Sequence, residues 1–556
     1  MPRVLIDSIP VISYDHKAKD KYWTALSKNL IANHGKQNFT EHAKVESILL
    51  DGFQFLADEF RKLLLPEKSL KFFLYIFWLH EESIKLYRKT LSGFKLHSID
   101  ENEFARYRRI LKLILEQGCE IDLEWGKFPN TDELRVMDDK IQELLYLGTW
   151  LYTFADYIAL HKMIEESHDI KFDDRDLLIV DWQHHYGTTY NQLFPMLRED
   201  YVKGTFDESA VHELKAAIES CFGIEYHFAG GIIFEIKKHH SQGDPSLQTI
   251  QPHVLPLNLV QLSGISQSLA ETFYAGLTLS RQNKLSIEDV VFKPYSTQRY
   301  MFRPILIYNV GGEERALVGW EKFAESMLVL STNAIHWNAM QKEWLTVKCM
   351  QTFINKKGME HDKILENKIE EIIKSKELLY CRNIKSFRQP SGSNLRIDNE
   401  LSGEIDFIIV NLLLKKIFIA DAKYNRARYE SVGFRNDYTN FIDSYEPQLQ
   451  KKINWLQINL SVLQEHLKII HNLTDLDLTG IEVEGIFLIN TPTFYMFNGT
   501  YKAITLKQTA DFIEGKYEYP QLMIMGEDES FMMIQHPYFK KPIIFADYDE
   551  NQTPKF

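Results

Sequence analysis

The chain has 556 residues and a formal net charge of -13, with 45% hydrophobic and 25% charged residues. This composition and a mean hydropathy of -0.28 are typical of an ordinary globular protein and exclude a fibre or a long disordered tail. Because single cores rarely grow past about 250 to 300 residues, the length predicts two or three domains.

The acidic charge is unevenly distributed along the chain. Residues 341–470 carry 21 Lys and Arg against 17 Asp and Glu, a net charge of +4, whereas the rest of the chain carries -17. Nucleic-acid-binding regions are expected to be locally basic. The overall acidity therefore does not exclude such a role for residues 341–470.

Residues 1–168 are predicted to form a largely α-helical domain. Apolar residues recur at intervals of three and four through residues 45–65, 104–117 and 137–166, as in amphipathic helices. Residues 70–79 are the most apolar stretch, but they are about half as long as the roughly 20 residues that span a bilayer. We expect a buried helix there and no membrane partner.

Residues 169–340 are predicted to be a mixed α+β region of unknown role. Residues 177–182 resemble a strand, residues 207–222 resemble a helix, and residues 230–238 are an apolar run that begins with two glycines. The segment around Glu235 and Lys237 is interpreted as a solvent-facing strand. Further strands are expected on both sides of the turn at Gly311 and Gly312, and helices resume near Glu321.

Residues 239–252 are polar and contain Gly and Pro, which predicts a linker or a long loop.

The four cysteines are far apart and never form CxxC, which argues against a zinc ribbon and a disulfide framework. The start of the sequence has no basic segment followed by a long apolar one, so a secretory signal is not expected. These features predict a cytoplasmic protein in a reducing compartment.

The segment with the clearest chemistry is residues 401–430. Two short, β-branched apolar runs are expected to form a hairpin that turns near residues 414–416. Asp406 stands near the start of the first run, and Asp421 and Lys423 stand two apart near the end of the second. Because side chains alternate between the two faces of a strand, Asp421 and Lys423 are expected on the same face. Antiparallel pairing of the two runs can bring Asp406 beside them.

These residue types suit phosphodiester hydrolysis. Two aspartates can hold a hard divalent cation, which polarises a phosphate and lowers the pKa of an attacking water. A lysine beside them can orient or deprotonate that water, balance charge on the phosphate and keep both carboxylates ionised. The pattern therefore indicates a metal-dependent hydrolase acting on phosphodiesters.

The segment resembles the PD-(D/E)xK nuclease superfamily, which includes restriction enzymes, Holliday-junction resolvases and RecB-like nucleases. The resemblance covers about a quarter of the chain and includes the motif G-E-I-D at residues 403–406. Asp406, Asp421 and Lys423 match the family's two acids and its lysine. Ile405 replaces the proline of the family name, and the second acid is Asp rather than the commoner Glu.

The resemblance implies an α/β/α restriction-endonuclease-like domain over residues 341–500, with residues 501–556 as a C-terminal extension packed on it. It also implies an acid on the preceding helix, for which Glu366 is the first choice. Glu370 and Glu371 remain alternatives because they lie near the same helix face. A glutamine on the following helix corresponds best to Gln448, with Gln450 behind it.

The implied activity is an endonuclease that uses Mg2+, with Mn2+ able to substitute, and cuts DNA more readily than RNA. Asp406, Asp421 and Glu366 would bind the metal, while Lys423 and Gln448 complete the catalytic set. Backbone phosphates would be contacted by basic residues near the site. These are Arg426, Arg428, Lys451 and Lys452.

Simpler interpretations of the same residues compete with this hypothesis. D-x-K is common by chance at strand ends, and the main alternative is a non-catalytic nucleic-acid-binding or scaffold protein that retains the nuclease fold. A second E-x-K, at Glu235 and Lys237, is expected to be a solvent-facing pattern.

The part of the chain outside the nuclease-like segment is large and acidic. Its size suggests the effector of a bacterial restriction or anti-phage system, in which the N-terminal region binds a protein partner or a second copy.

Overall fold

The computed structural model describes residues 3–13, 16–96, 99–126, 129–197, 208–238, 248–397, 403–525, 531–540 and 544–545. The chain groups into two compact units. The first comprises Met1–Ile158, Ile170–Val180 and Thr205–Gly358, and the second Ala159–Asp169, Asp181–Gly204 and Met359–Phe556. Most of the predicted segments 1–168 and 169–340 thus belong to the first unit.

The described chain is predominantly helical, with several small sheets. None of its described helices is long and apolar enough to cross a membrane. Within the described residues, the helices in chain order begin with α1 His16–His34, α2 His42–Leu64, α3 Leu70–Leu91, α4 Glu101–Gly118, α5 Thr131–Met163, α6 Tyr186–Leu197, α7 Glu208–Phe222, α8 Tyr226–Lys237 and α9 Val254–Ser263. They continue with α10 Gln267–Leu277, α11 Ile287–Phe292, α12 Trp320–Asn333, α13 Lys342–Leu345, α14 Lys348–Ser375, α15 Ser431–Asn440, α16 Glu446–Ile458, α17 Leu460–His471, α18 Tyr495–Asn498 and α19 Thr509–Ile513.

The strands are short and most belong to small sheets. Those before residue 350 are β1 Arg3–Ile6, β2 Ile9–Ile12, β3 Asp122–Leu123, β4 His168–Phe172, β5 Leu178–Trp182, β6 Thr278–Leu279, β7 Ile305–Val310 and β8 Glu313–Val318. Those after it are β9 Leu379–Ile384, β10 Ser386–Arg388, β11 Asn394–Arg396, β12 Ile405–Asn411, β13 Lys416–Lys423, β14 Glu482–Ile489, β15 Lys502–Thr505, β16 Leu522–Met525, β17 Phe531–Ile534 and β18 Ile544–Phe545.

Several local predictions for the first unit are confirmed. The apolar stretch 70–79 lies in α3, where most of its side chains are buried. β7 and β8 pair antiparallel around Gly311 and Gly312, which both have positive φ, +61° and +86°, a conformation that glycine adopts without strain. Helix α12 begins at Trp320, close to the predicted Glu321.

The strand predicted around Glu235 and Lys237 is wrong, because these residues lie in helix α8. Its buried residues Ala229, Ile232, Ile233 and Ile236 recur at intervals of three and four, so a short apolar run that suits a buried strand equally suits a buried helix. The N-terminal segment also departs from the prediction, since β1 and β2 form an antiparallel hairpin before the first helix. Most of the predicted linker, residues 239–247, lies outside the described residues.

The cysteine spacing argues against a disulfide framework, yet the structure pairs two of the four cysteines. Cys221 of α7 and Cys349 of α14 form a disulfide, although they are 128 residues apart. Helix packing brings their Cα atoms within 5.3 Å, a proximity that sequence spacing does not reveal. Cys119 and Cys381 are free and buried.

The second unit contains a five-stranded sheet in the order β15-β14-β13-β12-β9. The predicted hairpin is confirmed as β12 and β13, which pair antiparallel, and β9 pairs antiparallel with the other edge of β12. β14 then pairs in parallel with β13, and β15 in parallel with β14. Parallel pairing requires a crossover connection, and helices α15 to α17 supply it between β13 and β14.

Both faces of this sheet are covered. On one face, Phe407 and Phe418 pack with Leu365 and Ile369 of α14 and with α19 residues. On the other, strand residues such as Ile419 pack with side chains of α16 and α17. The central strands are therefore buried on both sides and almost wholly apolar, so any charged side chain on them requires specific partners.

We predict that Ile419→Ala lowers the free energy of unfolding by about 2 to 5 kcal/mol, because it leaves a cavity between the sheet and its helices. Ile419 is fully buried, whereas Leu413, in the turn of the same hairpin, is 97% exposed. Leu413→Ala should change the free energy by less than about 0.5 kcal/mol. Urea denaturation of both variants measures the difference, and equal effects would contradict the sandwiched position of β13.

Candidate active site

The hairpin brings the two predicted aspartates together at one end of the sheet. Phe407 pairs with Ala420, so Asp406 and Asp421 follow one step beyond this pair, one on each strand. Oδ2 of Asp406 accepts a hydrogen bond from the backbone N–H of Ala422 at 2.8 Å. The carboxyl group of Asp406 is thereby held against the strand that carries Asp421 and Lys423.

Asp421 is fully buried and lies between two ammonium groups. Its Oδ1 is 2.6 Å from Nζ of Lys452, and its Oδ2 is 3.6 Å from Nζ of Lys423. Within the described part of the chain Oδ2 makes no hydrogen bond. One carboxylate oxygen of Asp421 is thus tightly paired, while the other faces Lys423 without a hydrogen-bonded partner.

Lys452 was predicted to contact phosphate, but its side chain is buried within this cluster. It lies on α16 and is 5% exposed, and its ammonium group pairs with Asp421. Gln448 lies one turn earlier on the same helix and donates a hydrogen bond to Oγ of Ser444 at 3.3 Å. The four-residue spacing from Gln448 is the sequence signal that could have assigned Lys452 to the site.

Lys423 is partly exposed, with 19% of its side chain in contact with solvent. Its Nζ lies 4.7 Å from the centre of the Tyr445 ring, a distance at which the ring attracts the cation. The ammonium group therefore lies between the buried Asp421 and solvent, where it can reach a ligand that enters from outside.

The pKa of Asp406 is raised to about 7. Burial is the main cause, and the negative charge of Asp421 adds to it, whereas Lys423 and Lys452 act in the opposite direction. Two neighbouring carboxylates in a desolvated site resist simultaneous ionisation. The protonated form of Asp406 therefore persists to a higher pH than in a solvent-exposed aspartate.

The helical acids lie in a separate network on the α14 face of the sheet. Oε2 of Glu366 pairs with Arg382 at 2.8 Å, and Glu370 pairs with Arg382 at 2.6 Å. The hydroxyl of Tyr380 donates to Glu370 and is the main cause that lowers the pKa of Glu370 to about 2. Glu371 is exposed. The described contacts of Glu366 thus join it to Arg382 rather than to the two aspartates.

Asp362 is an acid that the sequence prediction missed. It precedes Glu366 by one helical turn, and the pKa of its carboxyl group is raised by partial burial and by Glu366. Lys423 acts on Asp362 in the opposite direction, so the two side chains are close enough to interact electrostatically. Its spacing of four residues from Glu366 is the signal that could have identified it.

The basic residues after β13 are mostly engaged by the protein itself. Arg428 forms a two-pronged pair with Asp437, at 2.9 and 2.7 Å, and Arg426 is buried. Burial raises the pKa of Asp437, while Arg428 and Arg426 lower it. Lys451, by contrast, is exposed and is available to a phosphate in solution.

The predicted three-acid metal site is not assembled. In the described ranges, no group of three or more His, Cys, Asp and Glu side chains could hold a metal ion. Asp406 and Asp421 nevertheless offer oxygen ligands, and Oδ2 of Asp421 accepts no hydrogen bond from any residue that the structure describes. This donor set fits Mg2+, which commonly binds through one or two carboxylates and retains several waters.

Comparisons of the chain with protein-family models, curated proteins and solved structures give no match. A functional assignment therefore depends on the geometry and the chemistry of the cluster formed by Asp406, Asp421, Lys423 and Lys452. We call these four residues the hairpin cluster.

We predict that Lys452→Ala lowers the free energy of unfolding by about 3 to 5 kcal/mol, because it leaves the buried carboxylate of Asp421 without its closest partner. Lys451→Ala, at the exposed neighbouring position, should change it by less than about 0.5 kcal/mol. Chemical denaturation in EDTA measures both. Equal stability of the two variants would show that the Lys452 pair is not formed.

A pH-dependent difference should distinguish Asp406→Asn from the wild type. The pKa of Asp406 is raised from 3.8 to about 7, so its stabilising contribution is complete below about pH 4 and is lost as the pH rises through 7. Between pH 5 and pH 8 the free energy of unfolding should therefore fall more for the wild type than for the variant. Below the pKa of the folded state, the extra fall is about 1.4 kcal/mol per pH unit. Parallel pH profiles measured in EDTA would contradict the raised pKa.

Proposed function

We propose that the second unit is a divalent-metal-dependent nuclease of the PD-(D/E)xK type. The observation that carries this proposal is the juxtaposition of Asp406 and Asp421 at the end of the hairpin, with Lys423 on the same strand as Asp421. The sheet topology supports it, since an antiparallel meander is followed by a helical crossover and a parallel strand. Helices on both faces are consistent with an α/β/α nuclease core.

Asp406 and Asp421 are the residues that would hold the metal. We propose Mg2+, for which Mn2+ could substitute. When bound, such an ion supplies polarisation of the phosphate and a more acidic water. Glu366 is less suited than predicted, because Arg382 already pairs with it. Asp362 is the better candidate for an additional acid, through its electrostatic interaction with Lys423.

The two lysines have different roles in this proposal. Lys423, at the solvent side of the cluster, would orient the attacking water or stabilise negative charge on the scissile phosphate. Lys452 is a positioning residue: it holds Oδ1 of Asp421 and compensates its charge. Gln448, one turn away on α16, would assist in positioning.

DNA is the proposed substrate, with RNA less favoured, by analogy with the superfamily. The net charge of +4 over residues 341–470 and the exposed Lys451 suit a polyanion. We further propose that the protein is the effector of a bacterial restriction or anti-phage system, and that the first unit binds a protein partner or a second copy.

A second candidate is a non-catalytic protein that binds nucleic acid or serves as a scaffold with the same fold. One observation favours it. The ammonium group of Lys452 donates a hydrogen bond to Oδ1 of Asp421 at 2.6 Å, and this oxygen would otherwise be available to a metal. Metal-dependent binding of nucleic acid without cleavage would support this candidate.

The nuclease proposal predicts that the purified protein cuts nucleic acid in Mg2+ or Mn2+ but not in EDTA. Supercoiled plasmid, linear duplex, single-stranded DNA and RNA are the substrates to compare by gel electrophoresis. Asp421→Ala and Lys423→Ala should each reduce cleavage by about a hundredfold or more, since electrostatic groups at a reacting centre contribute on this order.

The matched controls are Asp477→Asn and Lys516→Ala, which alter exposed residues of the same unit. Both should retain full cleavage, and circular dichroism should show that all four variants are folded. Undiminished cutting by Asp421→Ala and Lys423→Ala would rule out the proposed site.

A further inference from the structure

A cavity of about 680 Å³ lies within the first unit. Its size falls in the range of small-molecule sites, about 300 to 1,000 Å³. The apolar and aromatic walls come from three elements that are distant in sequence. They include Leu5 and Pro10 of the N-terminal hairpin, Leu74, Tyr75 and Trp78 of α3, and Trp320 of α12.

The aromatic side chains offer flat surfaces to this cavity. The rings of Tyr75 and Trp78 are nearly parallel, with an interplanar angle of 16° and centroids 6.0 Å apart. Trp78 is 44% exposed, although most of helix α3 is buried. A large exposed aromatic ring inside a concave site is a feature of ligand recognition rather than of core packing.

Ammonium groups accompany these rings. Lys71, Lys85 and Lys237 line the cavity, and they pair with Glu133, Glu82 and Glu321 respectively. Glu321 also pairs with Arg88, so its single charge is shared between two cations. Partly exposed ion pairs of this kind contribute little free energy, and a multiply charged anion can compete for the lysines.

Glu81 also lines the cavity, but its carboxylate is already engaged. It accepts hydrogen bonds from the backbone N–H groups of Glu321 and Lys322, at 3.0 and 2.8 Å, which lie in the first turn of α12. Gly319 permits this approach, because a Cβ atom there would collide with the Glu81 carboxyl group. The helix N-terminus compensates the charge of Glu81, so this carboxylate does not oppose an anionic ligand.

We propose that this cavity binds a nucleotide, with the base stacked on Trp78 and Tyr75 and the phosphates paired with Lys85 and Lys237. Nucleobases stack on aromatic side chains whatever their hydrogen-bonding pattern, and lysine pairs with phosphate as a point charge. The site involves residues of the first unit alone and does not depend on the proposed nuclease activity.

Isothermal titration calorimetry on the full-length protein tests this proposal. ATP and GTP are the nucleotide probes, adenosine lacks the phosphates, inorganic triphosphate lacks the base, and decanoate represents an aliphatic anion. At least one nucleotide should bind about tenfold more tightly than adenosine and than triphosphate. Absence of nucleotide binding at millimolar concentration, equal affinity for adenosine, or preference for decanoate would each overturn the proposal.

Two pairs of variants locate the site. Trp78→Ala and Lys237→Ala should each weaken nucleotide binding by about tenfold. Trp125→Ala and Lys238→Ala are the controls, because Trp125 is equally exposed at 44% and Lys238 is the neighbour of Lys237, and neither lines the cavity. Lys237→Ala is a surface substitution that should leave folding intact, and undiminished binding by this variant and by Trp78→Ala would place the nucleotide elsewhere and refute the proposal.

Discussion

A carboxylate that is removed from water requires nearby compensation, because desolvation of an ion in a protein interior is unfavourable by several kcal/mol. Asp421 imposes this requirement on the second unit. Its strand is sandwiched between two helical layers, and its side chain is fully buried. Lys452 from α16 and Lys423 from its own strand supply the positive charge. The position of α16 on the sheet, and hence the crossover between β13 and β14, is therefore tied to one buried charge.

The two faces of the sheet divide the acidic residues into different tasks. On the α14 face, Arg382 joins Glu366 and Glu370 in a compact network with Tyr380. This network links α14 to β9 and has the character of a structural ion pair. At the hairpin end, the charge of Asp421 lies close enough to Asp406 to help raise the pKa of the Asp406 carboxyl group. The ion pairs that link α14 to β9 are thus separate from the carboxylate pair at the hairpin end.

The sequence was sufficient to predict the hairpin, its turn and the approach of Asp406 to Asp421. These features depend on period-two alternation and on short-range pairing, both of which are visible in residues 401–430. The resemblance also implied the helix that carries Glu366 and the helix that carries Gln448, which are α14 and α16. The four-residue spacing from Gln448 places Lys452 on the same side of its helix as the site. Its burial could not be predicted, because lysine on an amphipathic helix usually faces solvent.

The other features that were not predicted have one physical cause. Where the local sequence pattern allows more than one structure, tertiary packing determines which structure forms. The run at residues 230–238 has the composition of a strand and the spacing of a helix, and its neighbours in the core of the first unit determine the outcome. Cys221 and Cys349 meet because α7 and α14 pack together. The aromatic cavity combines the N-terminal hairpin with α3 and α12, and no spacing along the chain indicates that these segments converge.

The charge balance of the hairpin cluster has a thermodynamic consequence for the proposed nuclease. Two carboxylates and two ammonium groups sum to zero when all are ionised, so a divalent cation alone would leave an uncompensated double positive charge in a poorly solvated place. A phosphodiester that binds without the metal would be repelled by the negative charges of the two carboxylates. Each ligand reduces the electrostatic penalty of the other, since a phosphodiester supplies one negative charge against the two positive charges of the metal. Linkage requires that each raises the affinity of the other by the same factor. Metal and nucleic acid are therefore expected to bind cooperatively, with little occupancy by either one in isolation.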